Sequence, residues 1–230
     1  NTLMERVGDY SLSNLTAHYW IGTDPTVREG HIGLLVNSRI WKAAWNTILL
    51  GGLTGVLSAL LGILLGYATS RGRGTKLALI LEQLSFLPFL IPGIAFGAIY
   101  LTMSAYRMGP LPPLYGTFAL LVLVSTMKRL PNATRSGTAS MMQVSMEMEE
   151  AAMVHGASWL TTFRKVMLPL TKNGFMAGFI LTFIGTMKSL SLIVLLYTPS
   201  TIILPVITFE YANRELRQLS DGIAVLIIVL

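Results

Sequence analysis

One short stretch of the chain combines an acid, two small residues and a glycine at close spacing. Glu150 is followed directly by Ala151 and Ala152, and three residues separate Ala152 from Gly156. A glycine permits a steep turn of the backbone, the alanines allow another surface to approach closely, and an acid can pair with a base across an interface. The pattern predicts a docking elbow, and the alternative is that Glu150 is only a solvated helix charge.

A second group of candidate residues lies inside apolar segments. Lys188, which precedes Ser189, is the only base deep inside such a segment, and burying a cation there costs about 2.5–3.5 kcal/mol. We expect Lys188 and Ser189 to line a passage for an anionic or chelated solute, although snorkelling of Lys188 to the outer interface fits equally well. Pro88 and Pro92 predict a helix break in the membrane, which protein or a cavity must satisfy. They are assigned to the same passage, with a purely structural kink as the alternative.

The sequence offers no recognisable catalytic or metal centre. It contains no cysteine, and His18, His31 and His155 are too scattered to predict a metal site. Residues 72–76 do not have the order of a phosphate-binding loop. We therefore predict no catalytic residue and no cofactor in this chain. An intramembrane enzyme built on Lys188 and Ser189 is disfavoured, because neighbouring side chains point to different sides of a helix.

The composition points to a membrane protein. Of 230 residues, 53% are hydrophobic and only 12% are charged, and the mean hydropathy is +0.62. An average soluble domain has about a quarter of its residues charged. The net charge of +6 comes from bases clustered at the ends of apolar runs. This distribution is typical of membrane topology and does not indicate a nucleic-acid partner.

The apolar runs predict an all-α membrane protein with about five transmembrane helices. An external segment, residues 1–43, precedes a membrane core, residues 44–230, and a cytoplasmic loop of the core spans residues 131–173. The abrupt ends of the sequence suggest that further helices precede residue 1 and that the last span is truncated. The predicted spans are residues 44–68, 77–103, 114–130, 174–197 and about 222–230.

The positions of the bases predict the orientation. Arg71, Arg73 and Lys76 follow the first span, and a second basic group starting at Lys128 and Arg129 is placed after the third. Because basic short loops stay in the cytoplasm, the N-terminal segment is predicted to be outside and the chain to be a multi-pass protein of the plasma membrane.

Small residues recur at fourfold spacing in the first span and predict close helix packing in a lipid bilayer. One row is followed by a second row on a neighbouring face. The two rows are Gly51, Gly55, Ala59 and Ser58, Gly62, Gly66.

Within the loop we expect two short helices that meet at a glycine. The first is predicted over residues 140–155, with a capping box that starts at Ser140, and Gly156 ends it. Ser158 is expected to cap the second helix, which Pro169 terminates.

These residues resemble the signature of a known family. Glu150-Ala151-Ala152, three residues, Gly156, nine residues, Val166, one residue and Leu168-Pro169 are similar to E-A-A-x3-G-x9-I-x-L-P. This EAA motif belongs to the permease subunits of binding-protein-dependent ABC importers. Valine in place of isoleucine is the one difference.

The resemblance implies a type I importer fold and a set of partners. In that family the elbow inserts into a cleft of a separate ATPase, whose dimer closes and swings the helices. Carried over, Glu150, Ala151, Ala152 and Gly156 would form the elbow, and Leu168 and Pro169 its exit to the membrane. The implied partners are an ATP-binding subunit dimer, an external solute-binding protein and a second permease half or copy in a bacterial inner membrane.

Other segments resemble the ferric-iron branch, whose permeases commonly fuse two copies of the core. They are residues 10–21, Asn37-Ser38, and the run from Lys188 through Leu196 to Pro199. This chain is then expected to be a second half. Many members of the branch have an acid where Leu190 stands, so thiamine, polyamine, phosphonate, sugar phosphate and oxyanions remain alternative solutes.

Overall fold

A computed structural model of the chain describes residues 2–4, 11–23, 32–105 and 114–230. His31 and part of the predicted external segment lie outside these residues. The described part is helical, with no strand beyond an isolated bridge between Met4 and Leu15, which agrees with the predicted all-α class. A 3₁₀ turn covers Leu12–Asn14, and a π-helical turn, Phe163–Met167, joins α7 to α8. The α-helices are α1 His18–Ile21, α2 Ser38–Arg71, α3 Lys76–Leu90, α4 Gly93–Ala105, α5 Phe118–Met141, α6 Met146–Val154, α7 Trp159–Thr162, α8 Leu168–Leu170, α9 Lys172–Met187, α10 Leu204–Asn213 and α11 Arg217–Val229.

Helix α2 is the longest element and packs against both α5 and α9. The side chain of Asn37 caps it by accepting the Arg39 N–H at 2.9 Å. No charged residue lies between Lys42 and Arg71. Among the described residues, α2 is the one helix that is by itself long and apolar enough to cross a membrane. It contains the predicted first span, residues 44–68.

Two further spans are possible if bent helix pairs are counted as single crossings. Helices α3 and α4 meet at 101°, and the helical segment Trp159–Leu170 meets α9 at 71°. The break predicted from the prolines is confirmed, and it falls at Ile91 and Pro92. Ile91 has φ −85° and ψ 127°, the extended conformation that a following proline favours. Pro88 lies within α3 and does not end it.

Helix α5 corrects the helix prediction for the first part of the loop. It runs unbroken to Met141, so residues 131–141 are helical and Ser140 caps nothing. Lys128 and Arg129, which the sequence placed after the third span, lie in the middle of α5. The apolar pattern stops early because only one face of α5 stays buried beyond these bases, through Ala133 and Gly137.

Helix α9 corrects the predicted fourth span. It ends at Met187, and turns follow until α10 begins at Leu204. Residues of the predicted span 174–197 such as Leu192 and Leu196 are buried, but in turns rather than in a helix. An apolar run reports burial and does not distinguish a helix from a buried turn. Helix α10 was not predicted.

The two rows of small residues on α2 face different helices, as predicted. A Cβ at Gly62 would lie 2.5 Å from the carbonyl carbon and oxygen of Ala133 in α5. On the other face, a Cβ at Gly51 would lie 3.0 Å from the ring of Phe183 in α9. Backbone therefore opposes backbone between α2 and α5, and aromatic rings fill the gap to α9.

Substituting Gly62 tests the packing of α2 against α5. We expect Gly62→Ala to destabilise the protein by about 1–3 kcal/mol, because the added methyl forces the two backbones apart. Gly52→Ala is the matched control, since a Cβ there meets nothing within 4 Å. Thermal unfolding of the purified protein in detergent measures both. Equal shifts in Tm for the two variants would contradict the packing.

Candidate functional site

The predicted elbow is present at Gly156. Helix α6 ends at Val154, Gly156 has φ +82°, and α7 begins at Trp159. The amide of Gly156 donates to the Met153 carbonyl at 2.9 Å, and that of Ala157 donates to the Ala152 carbonyl at 3.1 Å. These bonds satisfy the last carbonyls of α6, and the left-handed conformation suits glycine. The two short helices that meet at Gly156 are confirmed, but the first begins at Met146 rather than at residue 140.

We call α6 the first arm of the elbow and the helical segment that begins with α7 its second arm. The second arm follows the prediction closely. The Ser158 hydroxyl accepts the Thr161 N–H at 3.4 Å and caps α7. The helical path then continues to Leu170, one residue past Pro169. Leu168 is half-buried and Pro169 is exposed, at the bend that leads into α9.

Two adjacent glutamates on α6 have opposite surroundings. Glu149 is buried, and its Oε2 accepts a hydrogen bond from Arg71 Nε at 2.9 Å. The Tyr67 hydroxyl donates to the other oxygen of Glu149. Glu150 is exposed. The elbow is therefore tied to the end of α2 by Glu149, and Glu150 is left for contacts outside the chain.

Aromatic rings fix the second arm to the same turn of α2. Trp159 and Phe163 stack with centroids 5.5 Å apart, and Tyr67 meets Phe163 edge-on at 5.7 Å. Trp159 Nε1 also donates to the Tyr67 hydroxyl at 3.0 Å. Sequence reasoning missed Glu149 and Tyr67. The signal in the sequence was the spacing of three between Glu149 and Ala152, which puts both on one helix face. In the structure Ala152 is half-buried on that face.

The outer surface of the elbow is apolar and exposed. Ala151 is exposed beside Glu150, and Ala152 is half-buried. Val154 is 84% exposed and Leu160 is 66% exposed. We call the exposed patch around Glu150 the elbow tip, and its large apolar members are Met146, Met148, Met153, Val154 and Leu160. Several exposed large apolar side chains close together in sequence are typical of a protein-binding site.

The break between α3 and α4 is satisfied by a lysine of α5. Lys128 Nζ donates to the Pro88 carbonyl at 2.6 Å and also to the Ile91 carbonyl, and it lies 5.6 Å from the centre of the Phe96 ring. The freed carbonyls of a broken helix attract a cation, because the helix C-terminus is negative. The expectation that protein would meet the carbonyls freed by the prolines is therefore confirmed.

Arg129, the next residue of α5, contacts the other interrupted helix. Its guanidinium donates to the Gly185 carbonyl near the end of α9. Lys128 and Arg129, adjacent in α5, thus hydrogen-bond to carbonyls at the ends of two different helices, α3 and α9.

Lys188 does not lie within the continuous helix that the sequence predicted. It follows the last residue of α9 and is exposed, and the amide of Ser189 donates to the Thr186 carbonyl at 3.0 Å. Lys128 and not Lys188 contacts the break between α3 and α4, through the Pro88 and Ile91 carbonyls. Pro92, within the break, is exposed. The apolar run around Lys188 suggested a continuous helix that the buried turns replace.

The described residues contain no group of three or more histidine, aspartate or glutamate side chains placed to hold a metal ion. His155 Nδ1 lies 2.7 Å from the Ala151 carbonyl within the elbow.

Residues 58–230 match the family described as the binding-protein-dependent transport system inner membrane component. The chain belongs to this family. It is therefore a multi-pass inner-membrane permease component of ABC importers, in agreement with the motif at the elbow.

Curated relatives include permeases for two kinds of solute. A putative ferric transport system permease protein of Haemophilus influenzae is 28% identical over 181 residues, which cover 77% of this chain and 28% of that protein. A molybdate/tungstate transport system permease protein of Methanocaldococcus jannaschii is 26% identical over 185 residues, covering 79% and 73%. The chain spans about a quarter of the length of the ferric relatives it matches.

Solved structures share the fold. A bacterial ABC transporter that imports alginate aligns with a TM-score of 0.68 at 16% identity, covering 93% of this chain and 82% of that one. The MetNI methionine ABC transporter aligns with a TM-score of 0.63 at 17% identity, covering 82% and 88%. The importer permease fold predicted from the sequence is thus confirmed.

The contacts of Lys128 predict a stabilising role. We expect Lys128→Met to lower stability by about 1–3 kcal/mol, since it leaves the partly buried carbonyls of Pro88 and Ile91 without their partner. Lys188→Met is the control, because Lys188 is exposed and exposed substitutions usually stay within about 0.5 kcal/mol. Thermal unfolding in detergent compares them, and an unchanged Tm for Lys128→Met would refute the capping role.

Proposed function

We propose that this chain forms part of the solute passage of an ATP-driven importer and that its elbow docks on a separate ATP-binding subunit. The observation that carries the proposal is the division of α6. Its inner face is held to α2 through Glu149, and its tip presents Glu150 and Val154 to the outside. A surface that is rigidly mounted and apolar is suited to receive force from a partner.

The chemistry of the elbow tip fits a protein partner. Val154 and Leu160 would be buried against the walls of a cleft, which supplies affinity. Glu150 would pair with a base of the partner and fix the register. ATP and Mg²⁺ would be bound by that partner, since residues 72–76 of this chain lack the order of a phosphate-binding loop.

We propose that the elbow lies in the cytoplasm and that the N-terminal segment lies outside. Support comes from the end of α2 that holds the elbow, where Arg71, Arg73 and Lys76 are clustered. Basic residues at the end of a span favour the cytoplasmic side.

The proposed solute is ferric iron or a chelated or anionic small solute, delivered by an external binding protein to a passage shared with a second permease half or copy. The ferric relative and the molybdate/tungstate relative support these two classes of solute with similar sequence identities, 28% and 26%. Lys188, Ser189, Pro88 and Pro92 are proposed to line the passage. Lys188 is exposed, so that it can meet an anion, and the prolines flank the break that Lys128 occupies.

Charge reversal at the elbow tip tests the docking. We expect Glu150→Lys to weaken retention of the ATP-binding subunit by tenfold or more, because a paired interface charge becomes repulsive, and we expect Gly156→Asp to uncouple hydrolysis by disfavouring the left-handed turn. Glu82→Lys, which changes an exposed acid of α3 outside the elbow, is the control and should have little effect. Co-purification of the complex and ATP hydrolysis stimulated by the binding protein are measured. Docking through the elbow is wrong if Glu150→Lys and Gly156→Asp both behave like wild type.

Substitution of Lys188 tests the passage. If the solute is anionic, Lys188→Met should reduce uptake into proteoliposomes several-fold while Lys188→Arg retains most of it, because the charge is what attracts the solute. Uptake of ferric iron and of molybdate is compared in the same vesicles, each with its loaded binding protein. Unchanged uptake in Lys188→Met removes Lys188 from the passage.

A further inference from the structure

We propose that the Glu149–Arg71 ion pair is a positioning joint that transmits movement of the elbow into α2. The inference rests on the proposed docking of the elbow. It assigns a role to an acid that faces inward, away from the docking surface, and it identifies α2 as the element that receives the movement.

Glu149 is held by two groups of a single helical turn. Arg71 and Tyr67 are four residues apart in α2, so they lie on one face of that helix. Arg71 Nε and the Tyr67 hydroxyl occupy the two carboxylate oxygens separately. Arg71 also donates through a second nitrogen to the Val144 carbonyl at 3.3 Å, just before α6 begins. The first arm of the elbow is thus fixed at several points to the end of α2.

The second arm is held by the same turn. Trp159 donates to the Tyr67 hydroxyl at 3.0 Å, and the ring of Phe163 lies against that of Tyr67. Arg71 and Glu149 have side chains only 16% and 11% exposed, so solvent screens their attraction weakly. A displaced elbow must therefore carry the end of α2 with it or separate a largely buried ion pair.

Helix α2 is suited to pass the displacement on. It is continuous over 34 residues and contains no proline, which corresponds to a length of about 50 Å. At its far end Asn46 Nδ2 donates to the Ile202 carbonyl at 2.9 Å, and the Thr47 hydroxyl accepts the Leu204 N–H at 2.9 Å. The turns that precede α10 are thereby attached to the same rod that holds the elbow.

The test uses the complete importer complex in nanodiscs with its ATP-binding subunits and its binding protein. In Glu149→Gln and Arg71→Met we expect wild-type retention of the ATP-binding subunit and wild-type basal hydrolysis. Stimulation of hydrolysis by the loaded binding protein should fall roughly tenfold. Glu147→Gln is the matched control on the same helix and should keep full stimulation. Full stimulation in Glu149→Gln would overturn the joint, whereas a wild-type complex that lacks an ATP-binding subunit would instead overturn the proposed function.

Reversal of the pair separates transmission from simple stability. Glu149→Arg combined with Arg71→Glu should recover several-fold more stimulation than either single reversal, because the attraction is restored. Recovery of membrane levels without stimulation would assign the pair a purely structural role and overturn the proposal. If the reversed protein does not accumulate, Tyr67→Phe decides, since it keeps the ring contacts and removes one donor to Glu149. We expect a several-fold loss of stimulation in that variant, and no loss would refute the joint.

Discussion

Backbone polar groups that leave a helix in an apolar environment must find partners within the protein, and this constraint determines where the helices of this permease break. The bend between α3 and α4 frees carbonyls that Lys128 meets, and the end of α9 is met by Arg129. The turns before α10 receive Asn46 and Thr47 of α2. Each interruption is therefore paired with a polar side chain on an unbroken neighbour.

The unbroken neighbours are α2 and α5, which also make the closest contact. Gly62 brings the two backbones together at Ala133, so the helices that supply the polar partners form one rigid pair. Lys128 and Arg129 of α5 can then each hold one interrupted helix in register, because the position of α5 is itself set by α2. The same packing explains why α5 stays helical past its apolar stretch, since its small buried face continues to oppose α2.

Much of this arrangement could be predicted from the sequence. The glycine rows of α2, the break near Pro92 and the turn at Gly156 depend on local chemistry, and all three were predicted correctly. The end of α9 and the length of α5 were not, because hydrophobicity measures burial and both segments are buried without following the pattern of a simple span. The depth of Lys128 was missed for the same reason. Its pairing with Pro88 depends on tertiary contact, which no local pattern encodes.

The two adjacent glutamates of α6 show why the elbow needs more than its motif. In the proposed docking, Glu150 and Val154 would contact the partner, but binding alone does not move a membrane helix. Movement requires that the opposite face be attached to that helix by contacts stronger than those that yield elsewhere. Glu149 is the acid proposed for this attachment, because Arg71 and Tyr67 occupy both of its oxygens in a largely buried site. Successive positions on a helix face different directions, so two neighbouring acids can serve the partner and the membrane helix separately.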